Sequence, residues 1–197
     1  ISGFGQTGPY ANRPGFDQIA QGMGGLMSIT GAPGEGPMRV GIPIADLCGG
    51  IFAAYGITVA LLERELSGKG QWRHTSLLEA MVYMMDFQTA RWTVDGEIPA
   101  QAGNFHPTSI PTGGYRTKDG HVLFMASERE FWENFCRGIG RPELFEKRPG
   151  EKYADHALGD HDLRRELQKI FDTKTTAEWT EFGVKVNTPI MVVHDGK

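Results

Sequence analysis

The sequence predicts an α/β chain, helical up to about residue 94 and passing into a smaller α+β part after it. Three observations carry that reading. A near-continuous apolar run from Leu47 to Leu66 stops at Gly68-Lys69-Gly70, the punctuation that ends a long helix. Ser76 stands three residues before Glu79 at the head of a second apolar-periodic stretch, the spacing of a capping box. Lys118-Asp119-Gly120 separates two short alternating runs, the pattern of a β-hairpin.

Taken in order, residues 1–45 are rich in glycine and proline, broken by one expected helix from Asp17 to Met27 and a loop from Gly31 to Pro37. Val40 to Ala45 is a short apolar run leading to Asp46. Leu47 to Leu62 falls short of the roughly 20 residues needed to cross a bilayer. Glu63-Arg64-Glu65 closes it, so it reads as a buried helix. Gln71 to Thr75 reads as a brief strand and Ser76 to Trp92 as one helix carrying Ala80, Met81, Tyr83, Met84 and Phe87.

Asp95 to Gly114 has no period and reads as a long functional loop. Tyr115-Arg116-Thr117 and His121 to Ala126 form the hairpin strands. Glu128 to Gly138 is amphipathic, with Phe131, Trp132, Phe135 and Cys136 turned inward. Leu163 to Phe171 and Thr176 to Phe182 are further helices, and Val184 to Val193 reads as a last strand cut by Pro189. The expected division is therefore 1–94 and 95–197.

Composition narrows the class. Hydrophobic residues make up 40% and charged residues 22% of 197 residues, with 11 Phe, 5 Tyr and 4 Trp, too apolar for a disordered chain. A formal charge of -4 supplies no cationic field for nucleic acid or an anionic membrane, so neither is expected as a partner. Cys48 and Cys136 are too few for a disulfide framework, which points to a reducing, cytoplasmic location. The 27 glycines are about twice the usual share of roughly 7%. They have no Gly-X-Y period and read as tight turns and close backbone approaches. Ile1-Ser2-Gly3-Phe4-Gly5 reads like a strand end running into a glycine turn, so the chain is expected to be a piece of something longer.

Most candidate constellations have a bland reading that wins. His106, His121, His156, His161 and His194 show no metal-ligand spacing, and no metal is expected. Ser76 and Ser127 lack a nucleophile-elbow pattern, and the two cysteines lie in apolar runs where cysteine packs as a small hydrophobe. Gly22-Met23-Gly24-Gly25 lacks the GK[ST] of a phosphate loop. Asp46 is different, because it ends Ile42-Pro43-Ile44-Ala45 and precedes Gly49-Gly50 at the start of an apolar helix. Two readings stand. It is an N-cap, accepting from first-turn N–H groups. Or it is a carboxylate nucleophile, where exposed N–H donors and the positive end of the helix dipole would stabilise an oxyanion on a thioester.

Several segments resemble the family III CoA-transferases in order and spacing: Gly3-Phe4-Gly5-Gln6-Thr7-Gly8-Pro9, Arg13-Pro14-Gly15-Phe16-Asp17 and Gly24-Gly25-Leu26-Met27-Ser28-Ile29-Thr30-Gly31. So do Arg39-Val40-Gly41-Ile42-Pro43-Ile44-Ala45-Asp46, Ser67-Gly68-Lys69-Gly70-Gln71, Gly103-Asn104-Phe105-His106-Pro107, Lys118-Asp119-Gly120 and Gly140-Arg141-Pro142-Glu143-Leu144. The family's members are about twice this length. The resemblance therefore implies a central piece: the helical end of a large domain followed by a small α+β domain, from a chain that interlocks with a second copy as a homodimer.

In the family's transferases one Asp attacks the acyl-CoA, and that Asp falls on Asp46. The resemblance thus implies an acyl-CoA:carboxylate CoA-transferase working through an aspartyl-CoA thioester. Its substrates are an acyl-CoA and a carboxylic acid acceptor, and CoA is a substrate carrier rather than a resident cofactor. Gly49 and Gly50 would give the acyl group room. Phe16, Asn104, His106 and Glu128 are candidate substrate contacts. The racemase branch needs a His where Phe16 stands, which cannot carry a proton, although Glu128 falls near that branch's Glu. A non-catalytic acyl-CoA-binding or dimerisation module is the reading from another class. His106 either contacts the thioester or acceptor, or fixes its own loop. Phe16, Met23, Met27, Phe105 and Met125 would line an apolar pocket if they face one, favouring an acid larger than formate or oxalate. Arg73-His74 departs from the family's usual apolar residue and Asp.

Overall fold

The computed structural model describes residues 1–109, 111–148 and 161–196, and the chain divides into two units, Ile1–Gly103 and Asn104–Lys197. The division falls after Gly103 rather than near residue 94. The residues that follow the helices stay tied to the first unit: Gln101 Nε2 donates to the carbonyls of Thr30 and Gly36, both at 2.6 Å, and the Gly103 N–H donates to Gly31 O at 2.9 Å.

The first unit contains helices α1 (Asp17–Met23), α2 (Leu26–Ile29), α3 (Ile44–Ser67), α4 (Leu77–Met84) and α5 (Asp86–Asp95). The single helix expected over 17–27 is two, because Gly24 and Gly25 intervene. A Cβ on Gly24 would stand 2.5 Å from Met81 Cβ, and Gly25 turns left-handed at φ 89°. The helix expected over 76–92 likewise breaks at Asp86, whose φ is 46°. Its start is as expected: Ser76 Oγ accepts from the Glu79 N–H at 3.1 Å and donates to Glu79 Oε2 at 2.8 Å. Residues 71–75 form no strand. Ser2 makes a parallel bridge with Ser76 instead, held by Ser2 N–H to Thr75 O and Leu77 N–H to Ser2 O.

The core of this unit is small: Ala20, Ala45, Cys48, Leu77, Ala80 and Met81. It reaches only the start of α3, where Ala45, Cys48 and Gly49 are buried. Here the expectation of a buried helix fails. Ile44 and Ala45 join the apolar run, Glu63-Arg64-Glu65 does not stop it, and the helix continues to a C-cap at Gly68 with φ 70°. The result is 24 residues, long and apolar enough to cross a membrane by length and composition. Beyond its first turns Ile51, Tyr55, Leu62 and Leu66 are exposed, Leu66 to 86%.

The second unit packs α6 (Arg129–Gly138), α7 (Pro142–Lys147), α8 (His161–Phe171) and α9 (Thr176–Lys185) with an antiparallel sheet. The sheet order is β1 (Gly113–Arg116), β2 (His121–Phe124), β3 (Ile190–Val192). The Asp-Gly turn sets the hairpin register, with Arg116 opposite His121 and Gly113 opposite Phe124. Alternation along β2 buries Val122 and Phe124 and exposes His121 and Leu123. The last strand is shorter than expected because Val184 and Lys185 complete α9.

The core of this unit is aromatic. Tyr115, Phe124, Trp132, Phe135, Phe171 and Trp179 are fully buried, with Phe135 stacked between Trp132 and Phe171. The polar ends are satisfied: Trp132 Nε1 donates to Arg148 O and Trp179 Nε1 to Phe171 O. Cys48 and Cys136 are buried thiols, and burial pushes the Cys136 thiol up to about 12. His156 lies outside the described residues.

Candidate active site

Asp46 is the third residue of α3, so it is not the N-cap. That position belongs to Pro43, which has no side-chain acceptor. The acceptor comes from another helix. Asp17, the first residue of α1, places Oδ1 2.8 Å from the Ala45 N and 3.4 Å from the Asp46 N. Its Oδ2 accepts from Gln21 Nε2 at 2.7 Å. Gln21 is fully buried and completes the bracket: its Oε1 accepts from the Val40 N–H at 3.0 Å, and its Nε2 also reaches Ile42 O at 3.4 Å.

Two consequences follow for Asp46. Its side chain is exposed and, among the described residues, accepts no hydrogen bond. The carboxylate sits in the first turn, where the helix dipole favours negative charge. The start of α3 was expected to present free N–H donors to an oxyanion. Asp17 occupies those of Ala45 and Asp46, and the Ile44 N–H bonds Ile42 O at 2.8 Å.

The two glycines after Asp46 differ. A Cβ on Gly49 would stand 2.9 Å from Leu77 Cδ2, so this glycine lets α4 approach α3. Gly50 has nothing within 4 Å of that position and lies one turn beyond Asp46 on the same face, which leaves open space beside the carboxylate. Phe16 precedes Asp17 and is 69% exposed, so the bracket brings it to the same end of α3.

In the second unit the loop after Gly103 folds back on itself. Gly114 N–H donates to Asn104 O at 2.7 Å and His106 N–H to Thr112 O at 3.1 Å. Three hydroxyls pin the loop to the chain just before α6. Ser127 Oγ lies 2.6 Å from both Ser109 Oγ and Thr112 Oγ1. Asn104, His106 and the residue next to Glu128 thus belong to one tied segment. Glu128 is exposed at the N-cap of α6, and its side chain makes no capping bond.

His106 Nδ1 accepts from the Thr108 N–H at 3.3 Å, the contact of a His that fixes its own loop. Burial holds its pKa below the usual histidine value. Phe105 is half-buried and packs within its own unit. Its ring packs edge-on against Tyr115, and a Cβ on Gly113 would collide with it. Among the described residues no group of three or more His, Cys, Asp or Glu side chains could hold a metal.

The family model described as CoA-transferase family III matches residues 1–197. The chain belongs to CoA-transferase family III. Among curated members, an acetyl-CoA:oxalate CoA-transferase of Acetobacter aceti is 33% identical over 190 residues, which is 96% of this chain and 49% of that protein. A succinyl-CoA:mesaconate CoA-transferase of Haloarcula hispanica is 36% identical over 91% of this chain and 44% of its own length. The crystal structure of a CAIB/BAIF family protein from Brucella suis superposes with a TM-score of 0.82 at 27% identity, covering 99% of this chain and 52% of that one. The chain spans about half the length of the family III relatives it matches.

Asp17 and Gln21 were not singled out by sequence reasoning as site residues. A signal was there. They are polar residues four apart in a helix, and Pro43 denies α3 a local cap.

Proposed function

We propose that these residues are the central part of an acyl-CoA:carboxylate CoA-transferase with Asp46 as nucleophile. The observation that carries it is the free carboxylate of Asp46 in the first turn of α3, its capping work done by Asp17. Asp46 attacks the thioester carbonyl; the C–S bond breaks and CoA leaves as thiolate, giving a mixed anhydride. The thiolate attacks the Asp46 carbonyl, releasing the donor carboxylate and leaving an aspartyl-CoA thioester. An acceptor carboxylate attacks that thioester and the thiolate returns to the acceptor's carbonyl, which regenerates Asp46. The sequence is redox-neutral and needs no net proton.

The named relatives act with acetyl-CoA or succinyl-CoA and with oxalate or mesaconate, so small carboxylic acids are the acceptor class inferred here. CoA is the substrate carrier, the assembly is an interlocked homodimer and the location is cytoplasmic. The racemase reading keeps one point in its favour, the exposed and uncommitted Glu128, against Phe16, which offers no proton.

The test is intact mass of the full-length protein after incubation with acyl-CoA. The expected result is a CoA adduct on Asp46 that hydroxylamine cleaves and that Asp46→Ala lacks. Transfer by Asp46→Ala above about a tenth of the parent rate overturns the assignment. Deuterium wash-in at the α-carbon without an adduct would favour the racemase instead.

A further inference from the structure

We propose that Asp17 is the positioning residue of the nucleophile. It caps α3 from a neighbouring helix and thereby keeps the Asp46 carboxylate off its own backbone and free to react. The inference rests on the reading of Asp46 as nucleophile.

The start of a helix leaves N–H groups without intrahelical partners. At α3 the preceding residue is Pro43, which has no side-chain acceptor to offer. Pro43 carries no N–H, so the reciprocal bond of a capping box is closed here. The first-turn donors that an acid at the third helical position could still turn back to are the N–H groups of Ala45 and of that residue itself. Asp46 is that residue. If it turned back to the backbone, its lone pairs would be engaged and its oxygens held against the helix. Asp17 removes the need by accepting from Ala45 and Asp46 with Oδ1.

The chemistry of the bracket requires a carboxylate at 17. Val40 N–H can only donate, so its partner on Gln21 is Oε1 and the Gln21 amide NH2 faces Asp17 and Ile42 O. Both Asp17 oxygens therefore meet donors, and an amide there would turn an NH2 group toward one of them. Through this pair, α1 holds Val40, Ile42, Ala45 and Asp46 at once, so the backbone entering the catalytic turn is fixed at both ends. Charge-assisted bonds of this kind are about twice as strong as neutral ones. A misplacement of the nucleophile by about 1 Å can cost about a hundredfold in rate.

The test uses Asp17→Ala and Asp17→Asn in the full-length protein. The readouts are the single-turnover rate of Asp46 acylation by hydroxylamine trapping, KM for acyl-CoA, and amide exchange at Ala45 and Asp46. Asp17→Ala is expected to slow acylation about ten- to hundredfold with KM within about twofold, and to speed exchange of both amides. Asp17→Asn, which keeps one acceptor oxygen, falls between Asp17→Ala and the parent. It carries the test if the alanine variant does not fold. A purely structural role lowers the fraction of molecules that react but not their rate, so a parent-like rate in either variant overturns the proposal. A parent protein with no adduct on Asp46 overturns the nucleophile and this inference together, which distinguishes the two failures.

Discussion

Gly3 and Gly15 pass so close that a Cβ on either would stand 2.5 Å from the other's Cα. The contact is backbone on backbone, so no flexible side chain can yield. It fixes the residues that lead into Phe16 and Asp17, and hence into the bracket on α3. Gly15→Ala is expected to cost about 1–3 kcal/mol through overpacking, read as a fall of several degrees in Tm by calorimetry. Gly41→Ala is the control: nothing lies within 4 Å of its Cβ position, and its effect should stay within about 0.5 kcal/mol. Equal shifts in the two variants would refute the close-contact argument.

Ser127 is the shared corner of the hydroxyl triangle, and Ser109 and Thr112 are both buried. Removing it leaves two buried hydroxyls with only a 3.4 Å contact between them. Ser127→Ala is expected to destabilise the second unit by about 1–3 kcal/mol, the penalty of unsatisfied buried groups. It should also speed amide exchange at His106, whose N–H bonds Thr112 O. Unchanged exchange there would show that the triangle does not hold the loop.

The start of α9 is held by two carboxylates. Asp119 accepts from the Thr176 N–H at 2.8 Å, and Glu178 accepts from the Thr175 N–H at 2.7 Å. These bonds hold both carboxyls below their ordinary range, backbone donation being the larger cause in each. A depressed folded pKa contributes stability that is complete above the ordinary carboxylate range, near about pH 4. It is lost as pH falls through the lowered folded values. Fluorescence of the buried Trp179 in α9 should therefore report loosening below about pH 4. Asp119→Asn with Glu178→Gln should flatten that dependence.

How far the sequence could be read depended on whether a signal was local. The Asp-Gly turn, the Ser76 cap and the inward faces of α6 needed only neighbouring residues, and all three stand as expected. The breaks at Gly24–Gly25 and Asp86 did not, because the first is set by Met81 across the unit and the second by a left-handed residue that is not glycine. At the candidate site, Asp46, the proposed nucleophile, was singled out by its place at the head of an apolar helix and by family spacing. The free N–H donors expected there are taken, because Asp17 accepts from 28 residues away, a contact no local pattern announces.

The exposed face of α3 is expected to drive self-association. Ile51, Tyr55, Leu62 and Leu66 are at least 65% exposed on a helix whose burial ends near Gly49. Tyr83, Trp92 and Val94 on α4 and α5 add to the exposed apolar surface. Patches of this kind seek cover, and the family III relatives matched by this chain are about twice its length. Produced alone, the 197 residues are expected to self-associate in sedimentation and to turn over acyl-CoA negligibly. Asp46 would be present, but the binding energy from the rest of CoA that positions the thioester would be missing. Point changes on the exposed face, Ile51→Glu with Leu62→Lys, should reduce self-association without restoring turnover. A stable monomer that exchanges CoA at an ordinary enzymatic rate would show instead that this half-length chain is sufficient for catalysis.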